Sequence, residues 1–101
     1  MTISVDVGEV RFSSKTELTS YLRNLIANYP IGSQVSAADR GFLLRLFDFH
    51  PDATRKFSGG ITDIEVRLDE YGNKRFHLLR PDGSNEEISW TKCVGNAKAA
   101  R

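Results

Sequence analysis

Between Leu18 and Phe47 the apolar residues recur every three or four positions, and from Ile61 to Ile88 they recur every two. No other feature constrains the fold as strongly. Side chains of a helix return to one face every 3.6 residues, and those of a strand every two. A helical first half followed by a β second half predicts an α+β domain: two helices packed on one face of a three- to four-stranded antiparallel sheet.

The helical half carries its own punctuation. Ser14-Lys15-Thr16-Glu17 reads as a capping box, in which the Ser14 hydroxyl accepts from the third helical amide and Glu17 reaches back to the Ser14 amide. Leu18, Tyr21, Leu22, Leu25, Ile26 and Tyr29 then form one apolar stripe, which Pro30 and Gly32 stop, so the helix should run from about Lys15 to Tyr29. Ser36-Ala37-Ala38-Asp39 opens a second helix, with Phe42, Leu43, Leu46 and Phe47 inward and Arg40 and Arg45 on its other faces. His50-Pro51 should end it, because the residue before a proline is pushed out of helical geometry.

In the β half, Ile64, Val66 and Leu68 alternate with Asp63, Glu65, Arg67 and Asp69, which predicts a strand with one wet face. Glu70-Tyr71-Gly72-Asn73 reads as a hairpin turn with Gly72 or Asn73 at positive φ. The next strand puts Phe76 and Leu78 on one face and Arg75, His77 and Leu79 on the other. Pro81-Asp82-Gly83-Ser84 is a turn, and a last strand from about Glu86 to Thr91 should point Ile88 and Trp90 inward. Ahead of all this, Ile3 to Phe12 alternates on both sides of Gly8, as one short strand or two broken at the glycine. The whole chain, 1–101, reads as one domain, with 1–11 and 95–101 expected to fray.

Fourteen basic against 13 acidic residues exclude strong long-range attraction to phosphate backbones, so any nucleic-acid site must be local. One cysteine precludes an internal disulfide and fits a reducing compartment. No apolar run reaches the roughly 18 residues a membrane span needs, and no signal peptide stands at the N-terminus. The expectation is a complete cytoplasmic protein with no membrane contact and no cofactor.

Most candidate chemistry has a structural alternative. Gly59-Gly60 follows Lys56 and leads into a strand, whereas a phosphate-binding loop places glycines before the lysine and leads into a helix, so a turn or bulge competes with a phosphate cradle. His50 reads either as a helix C-terminal cap or as a ligand contact. One cysteine, Cys93, and two scattered histidines lack zinc spacing and a third orienting residue, so neither a metal site nor a catalytic one is expected. Arg75 and His77 share a strand face with Arg67 across the hairpin, while Arg80 and Lys92 stand near strand ends. This is either a phosphate-reading surface or, with Asp63, Glu65 and Glu87 on the same face, a mixed-charge solvated one. Phe57 and Tyr71, in loops beside Lys56 and Lys74, are candidates for stacking on bases.

The order Phe12-x-Ser14-Lys15, Asp39-x-x-Phe42-Leu43, His50-Pro51, Lys56, Gly59-Gly60-Ile61, Arg75-Phe76, Arg80-x-Asp82-Gly83 and Ile88-Ser89-Trp90-x-Lys92-Cys93 resembles the DeCL family, named for the plant "defective chloroplasts and leaves" proteins. The resemblance spans Phe12 to Val94. It implies a small domain that in plants serves chloroplast ribosomal RNA processing and also occurs at the C-terminus of the largest subunits of plant-specific RNA polymerases. It also implies kinship with short stand-alone bacterial chains. By that likeness Lys15, His50, Lys56, Gly59, Gly60, Arg80, Asp82, Lys92 and Cys93 are the positions to carry over. The chain departs from the family pattern at Arg75-Phe76-His77, where a cysteine is expected, and at Ile88-Ser89-Trp90-Thr91.

Two readings result. The first is a non-catalytic nucleic-acid-associated module, RNA-binding, with a role in RNA processing or transcription. The alternative is a protein–protein interaction domain of a ribonucleoprotein or a homo-oligomer. Lys15, His50, Lys56, Gly59, Gly60, Arg75, Arg80 and Lys92 are the expected nucleic-acid or ligand contacts.

Overall fold

The computed structural model describes residues 4–8 and 10–96. Five strands and four helices follow in the order β1 (Val5–Val7), β2 (Val10–Phe12), α1 (Lys15–Asn28), α2 (Ala37–Phe47), α3 (Ala53–Lys56), β3 (Asp63–Leu68), β4 (Lys74–Leu79), β5 (Asn85–Ile88) and α4 (Trp90–Asn96). The protein is α+β, with helices packed against antiparallel sheets. There are two sheets: a β1–β2 hairpin and the meander β3-β4-β5.

Local chemistry explains the helix boundaries. The Ser14 hydroxyl accepts from the Glu17 amide at 3.2 Å, while the Glu17 carboxylate reaches one residue further back than expected, to the Ser13 amide at 3.1 Å. Ser36 repeats the cap on α2 by accepting from the Asp39 amide at 3.2 Å. Between the helices, the Tyr29 hydroxyl accepts from the Ser36 amide at 3.0 Å and donates to the Asp39 carboxylate. That clamp joins the end of α1 to the start of α2.

The core is the meeting of the two periodicities. Leu18 and Leu22 of α1 and Leu43, Leu46 and Phe47 of α2 are fully buried, as are Ile64, Val66, Phe76, Leu78 and Ile88 of the meander. Burial of each such side chain contributes about 1.5–3 kcal/mol before entropy is counted. The edge of β3 is covered by the α1–α2 loop, through Gly32 N–H to Val66 O at 2.7 Å and Val35 N–H to Ile64 O at 3.0 Å. At the β3–β4 turn it is Gly72, not Asn73, that takes positive φ (+81°).

Several expectations are corrected. The second helix ends at Phe47, three residues before His50, and α3 occupies a stretch for which no element was expected. The last strand stops at Ile88; Trp90 is buried as expected, but as the first residue of α4. Leu68 is 46% exposed, so the inward alternation of β3 ends at Val66. The alternation around Gly8 proves to be two strands, and the N-terminal stretch is held where fraying was expected: Val5 and Val7 lie in the core. Gly95 and Asn96 are helical, while the rest of the expected frayed ends, residues 1–3 and 97–101, and also Glu9, lie outside the described residues.

Candidate functional site

Three of the sequence candidates, His50, Lys56 and Arg80, gather at the corner where α3 crosses the edge of β5, and Lys92 on α4 lies within electrostatic reach of His50. The organising group is Glu86. It shares the inward face of β5 with Ile88 and stands opposite Leu78 of β4, so its carboxylate is directed towards the helices. A half-buried carboxylate requires cationic partners. Arg80 Nη2 approaches it at 2.8 Å, Arg55 Nη1 at 2.9 Å and Lys56 Nζ at 3.7 Å. Lys56 also donates to the Glu87 carbonyl at 2.9 Å, and Arg80 to the Lys56 carbonyl at 2.8 Å. Those two bonds pin α3 across the edge of β5.

His50 sits beside this network and is buried, with 7% of its surface exposed. Its Nδ1 accepts from the Asp52 amide at 3.0 Å. A neutral imidazole with Nδ1 as acceptor carries its proton on Nε2. Desolvation lowers the His50 pKa from its ordinary value, and the nearby charges of Lys56, Lys92 and Arg55 push the same way against Asp52. The ring is therefore a neutral donor among cations. Lys92, on the exposed side of α4, forms no ion pair among the described residues. Arg55 also approaches Asp52 at 3.6 Å. Four cations, Arg55, Lys56, Arg80 and Lys92, thus stand against three carboxylates, Asp52, Glu86 and Asp82, the last within the field of Arg80, and the corner keeps a small excess of positive charge.

The other candidates are placed elsewhere. Lys15 donates to the Gly95 carbonyl at 3.0 Å, tying α1 to the end of α4. Gly59 and Gly60 have φ of +84° and +85°, and a Cβ at either would meet nothing within 4 Å. Backbone conformation alone accounts for the pair. Arg75 lies on the open face of the meander, bound to Asp69 at 3.1 Å and Glu87 at 3.6 Å, with Arg67 held by Glu65 at 2.9 Å. His77 Nδ1 lies 3.0 Å from Asn85 Oδ1. That face is a balanced lattice of ion pairs, the bland alternative of the two. Phe57 packs against the core, whereas Tyr71 is 79% exposed.

Cys93 is fully buried, donates to the Ser89 carbonyl at 3.3 Å, and has its pKa pushed up to about 12 by burial. Such a thiol supplies no thiolate at neutral pH. Among the described residues no three His, Cys, Asp or Glu gather as metal ligands, and no helix is long and apolar enough to cross a membrane. A hollow of about 610 Å³ between the β1–β2 turn and α2 is lined by Val7, Val10, Ala38, Phe42 and Arg45 among the described residues.

Sequence reasoning missed Arg55, Asp52 and Glu86. Glu86 had a readable signal, since an acidic residue two positions before a core isoleucine in a strand must face inward and find cations.

An α+β domain with a cationic corner built on α3, β5 and α4 is the class that fold and site define. Residues 23–94 match the family described as "Protein of unknown function (DUF3223)", and the chain belongs to that family. It is similar to the solution NMR structure of an uncharacterized protein from Rhodospirillum rubrum, with 33% identity, a TM-score of 0.84, and coverage of 92% of this chain and 89% of that one. It is also similar to DNA-directed RNA polymerase IV subunit 1 of Arabidopsis thaliana, 28% identical over 78 residues. That match takes in 76% of this chain but spans only 5% of the polymerase subunit.

Proposed function

We propose that this chain is a DeCL-type, non-catalytic nucleic-acid-associated module of the cytoplasm, directed at RNA, which contacts phosphate through the α3–β5–α4 corner. The observation that carries the reading is the excess positive charge around His50 in a protein whose net charge is only +1. Local excess suits a module that touches a few phosphates without wrapping a backbone. The likeness to part of an RNA polymerase subunit supports the same setting. A salt titration of binding to a structured RNA hairpin tests it. Affinity should fall as salt rises, and absence of binding at low salt would sink the reading.

A second reading, protein docking without nucleic-acid contact, is favoured by one observation: Ile31, Leu68 and Tyr71 are 54%, 46% and 79% exposed. The register Gln34 to Glu65 brings Ile31 to the Leu68 end of β3, so these residues share one end of the sheet. It is favoured if the parent chain binds no RNA hairpin at low salt but retains a partner after nuclease treatment, and a Tyr71→Ser, Leu68→Ser double variant loses that partner.

A further inference from the structure

The burial of His50 has a geometric consequence. Its Nδ1 is occupied by the Asp52 amide, so Nε2 must carry hydrogen, and no described residue accepts from it. Yet no buried side-chain nitrogen or oxygen lacks a partner. Nε2 therefore keeps some contact with solvent although the residue as a whole is buried. A donor fixed in this way, with no rotamer or tautomer left to choose, is preorganised for an acceptor supplied from outside.

We propose that the His50 Nε2–H is the floor of an oxyanion site that takes one phosphate group, with Lys92 and Arg55 supplying charge at its rim and Lys56 behind. The proposal rests on the RNA reading and specifies its point of contact. The charged groups whose fields reach the ring are Asp52 on its own loop, Arg55 and Lys56 on α3, and Lys92 on α4. Asp52 is the one anion among them, and its pairing with Arg55 at 3.6 Å is exposed on both sides. Exposed pairs of that length are worth little, so an incoming phosphate can displace Asp52 from Arg55 at small cost while Arg55 keeps its 2.9 Å pairing with Glu86. Lys56, by contrast, is only 12% exposed and tied to Glu87 and Glu86, so it acts as fixed charge. A neutral imidazole donor suits an anion that must be held at neutral pH without titrating the protein.

The shared chemistry is a phosphate group, from a polynucleotide or from free phosphate and its monoesters, and the experiment separates these sources. Long-range ¹H–¹⁵N spectra of the histidine-labelled full chain report the tautomer and environment of His50 directly. Inorganic phosphate and a short RNA hairpin are titrated separately. Saturable movement of the His50 Nε2 resonance with both probes is expected, with His77 unmoved. Lys92→Met, an exposed substitution that leaves the fold intact, should weaken the phosphate effect about five- to tenfold, the loss of one charge-assisted contact. If RNA binds while His50 stays unmoved by either probe, this site is overturned and the RNA reading stands. If phosphate saturates at His50 but RNA does not bind, the site stands and the RNA reading falls. Failure to saturate with phosphate, or a predominant Nδ1–H tautomer, overturns the site.

Discussion

At the scale of single residues, His50 is held in a state that couples its proton to folding. Its folded pKa lies below the ordinary 6.5, because burial desolvates the charged ring and Lys56, Lys92 and Arg55 repel it against the pull of Asp52. The unfolded chain therefore takes up the proton first as pH falls. Stability should hold above pH 6.5, then decline from 6.5 down to the folded-state pKa, and level off below it. Denaturant unfolding between pH 7.5 and 5 checks this. His50→Gln, which keeps an acceptor for the Asp52 amide, should flatten the decline; an equal decline in the variant would assign it to another group. The carboxylates of Asp69, Asp82 and Glu86 sit below their ordinary values, so their contribution is lost only at lower pH, below about 4.5. A different residue prediction concerns the glycine pair. With φ of +85° and open space around it, Gly60→Ala should cost about 1–2 kcal/mol through backbone strain alone. Thermal unfolding measures that cost. A folded G60A chain that still binds phosphate would confirm a turn, and one that has lost binding would restore the cradle.

At the scale of elements, Glu86 is the hinge of the argument. Removing its charge leaves Arg80, 16% exposed, and Lys56 without their carboxylate. Glu86→Gln should cost about 1–2 kcal/mol of stability, discounted for partial exposure. The same change should tighten RNA binding several-fold by unmasking three cations. A destabilised variant with unchanged or weaker RNA affinity would mean that the corner is structural only. What the sequence made legible here follows from the range of each interaction. The helix starts were readable because Ser14 and Ser36 cap amides three residues away, and the strands because alternation is local. Helix α4 was not, since Ile88 and Trp90 keep a period of two while Cys93 and Val94 complete only one helical turn. Helix α3 escaped because four residues between Pro51 and Gly59 carry no period at all. Of the site, His50, Lys56, Arg80 and Lys92 were readable as polar residues at element ends. Arg55 became visible only once the meander's register had turned Glu86 inward.

At the scale of the whole molecule, charge is the controlling quantity. The net charge is +1, and the open face of the meander has its arginines matched to carboxylates: Arg67 with Glu65, and Arg75 with Asp69 and Glu87. Neither the molecule's overall field nor its broadest sheet face can draw in a polyanion, so the cationic corner must supply most of the electrostatic attraction. Each phosphate neutralised contributes about −0.7 to the slope of log K against log salt for single strands and about −0.9 for duplex. With one phosphate seated on His50 and one neighbouring phosphate the most that the movable cations Lys92 and Arg55 can add, two phosphate contacts are the natural limit. The slope for an RNA hairpin should therefore fall at about −1.4 to −1.8, and Lys92→Met should reduce its magnitude by about one contact. Fluorescence anisotropy between 25 and 300 mM salt measures both. A slope of −5 or steeper, or one unchanged in the Lys92 variant, would require a second cationic surface and would remove the α3–β5–α4 corner from the interface.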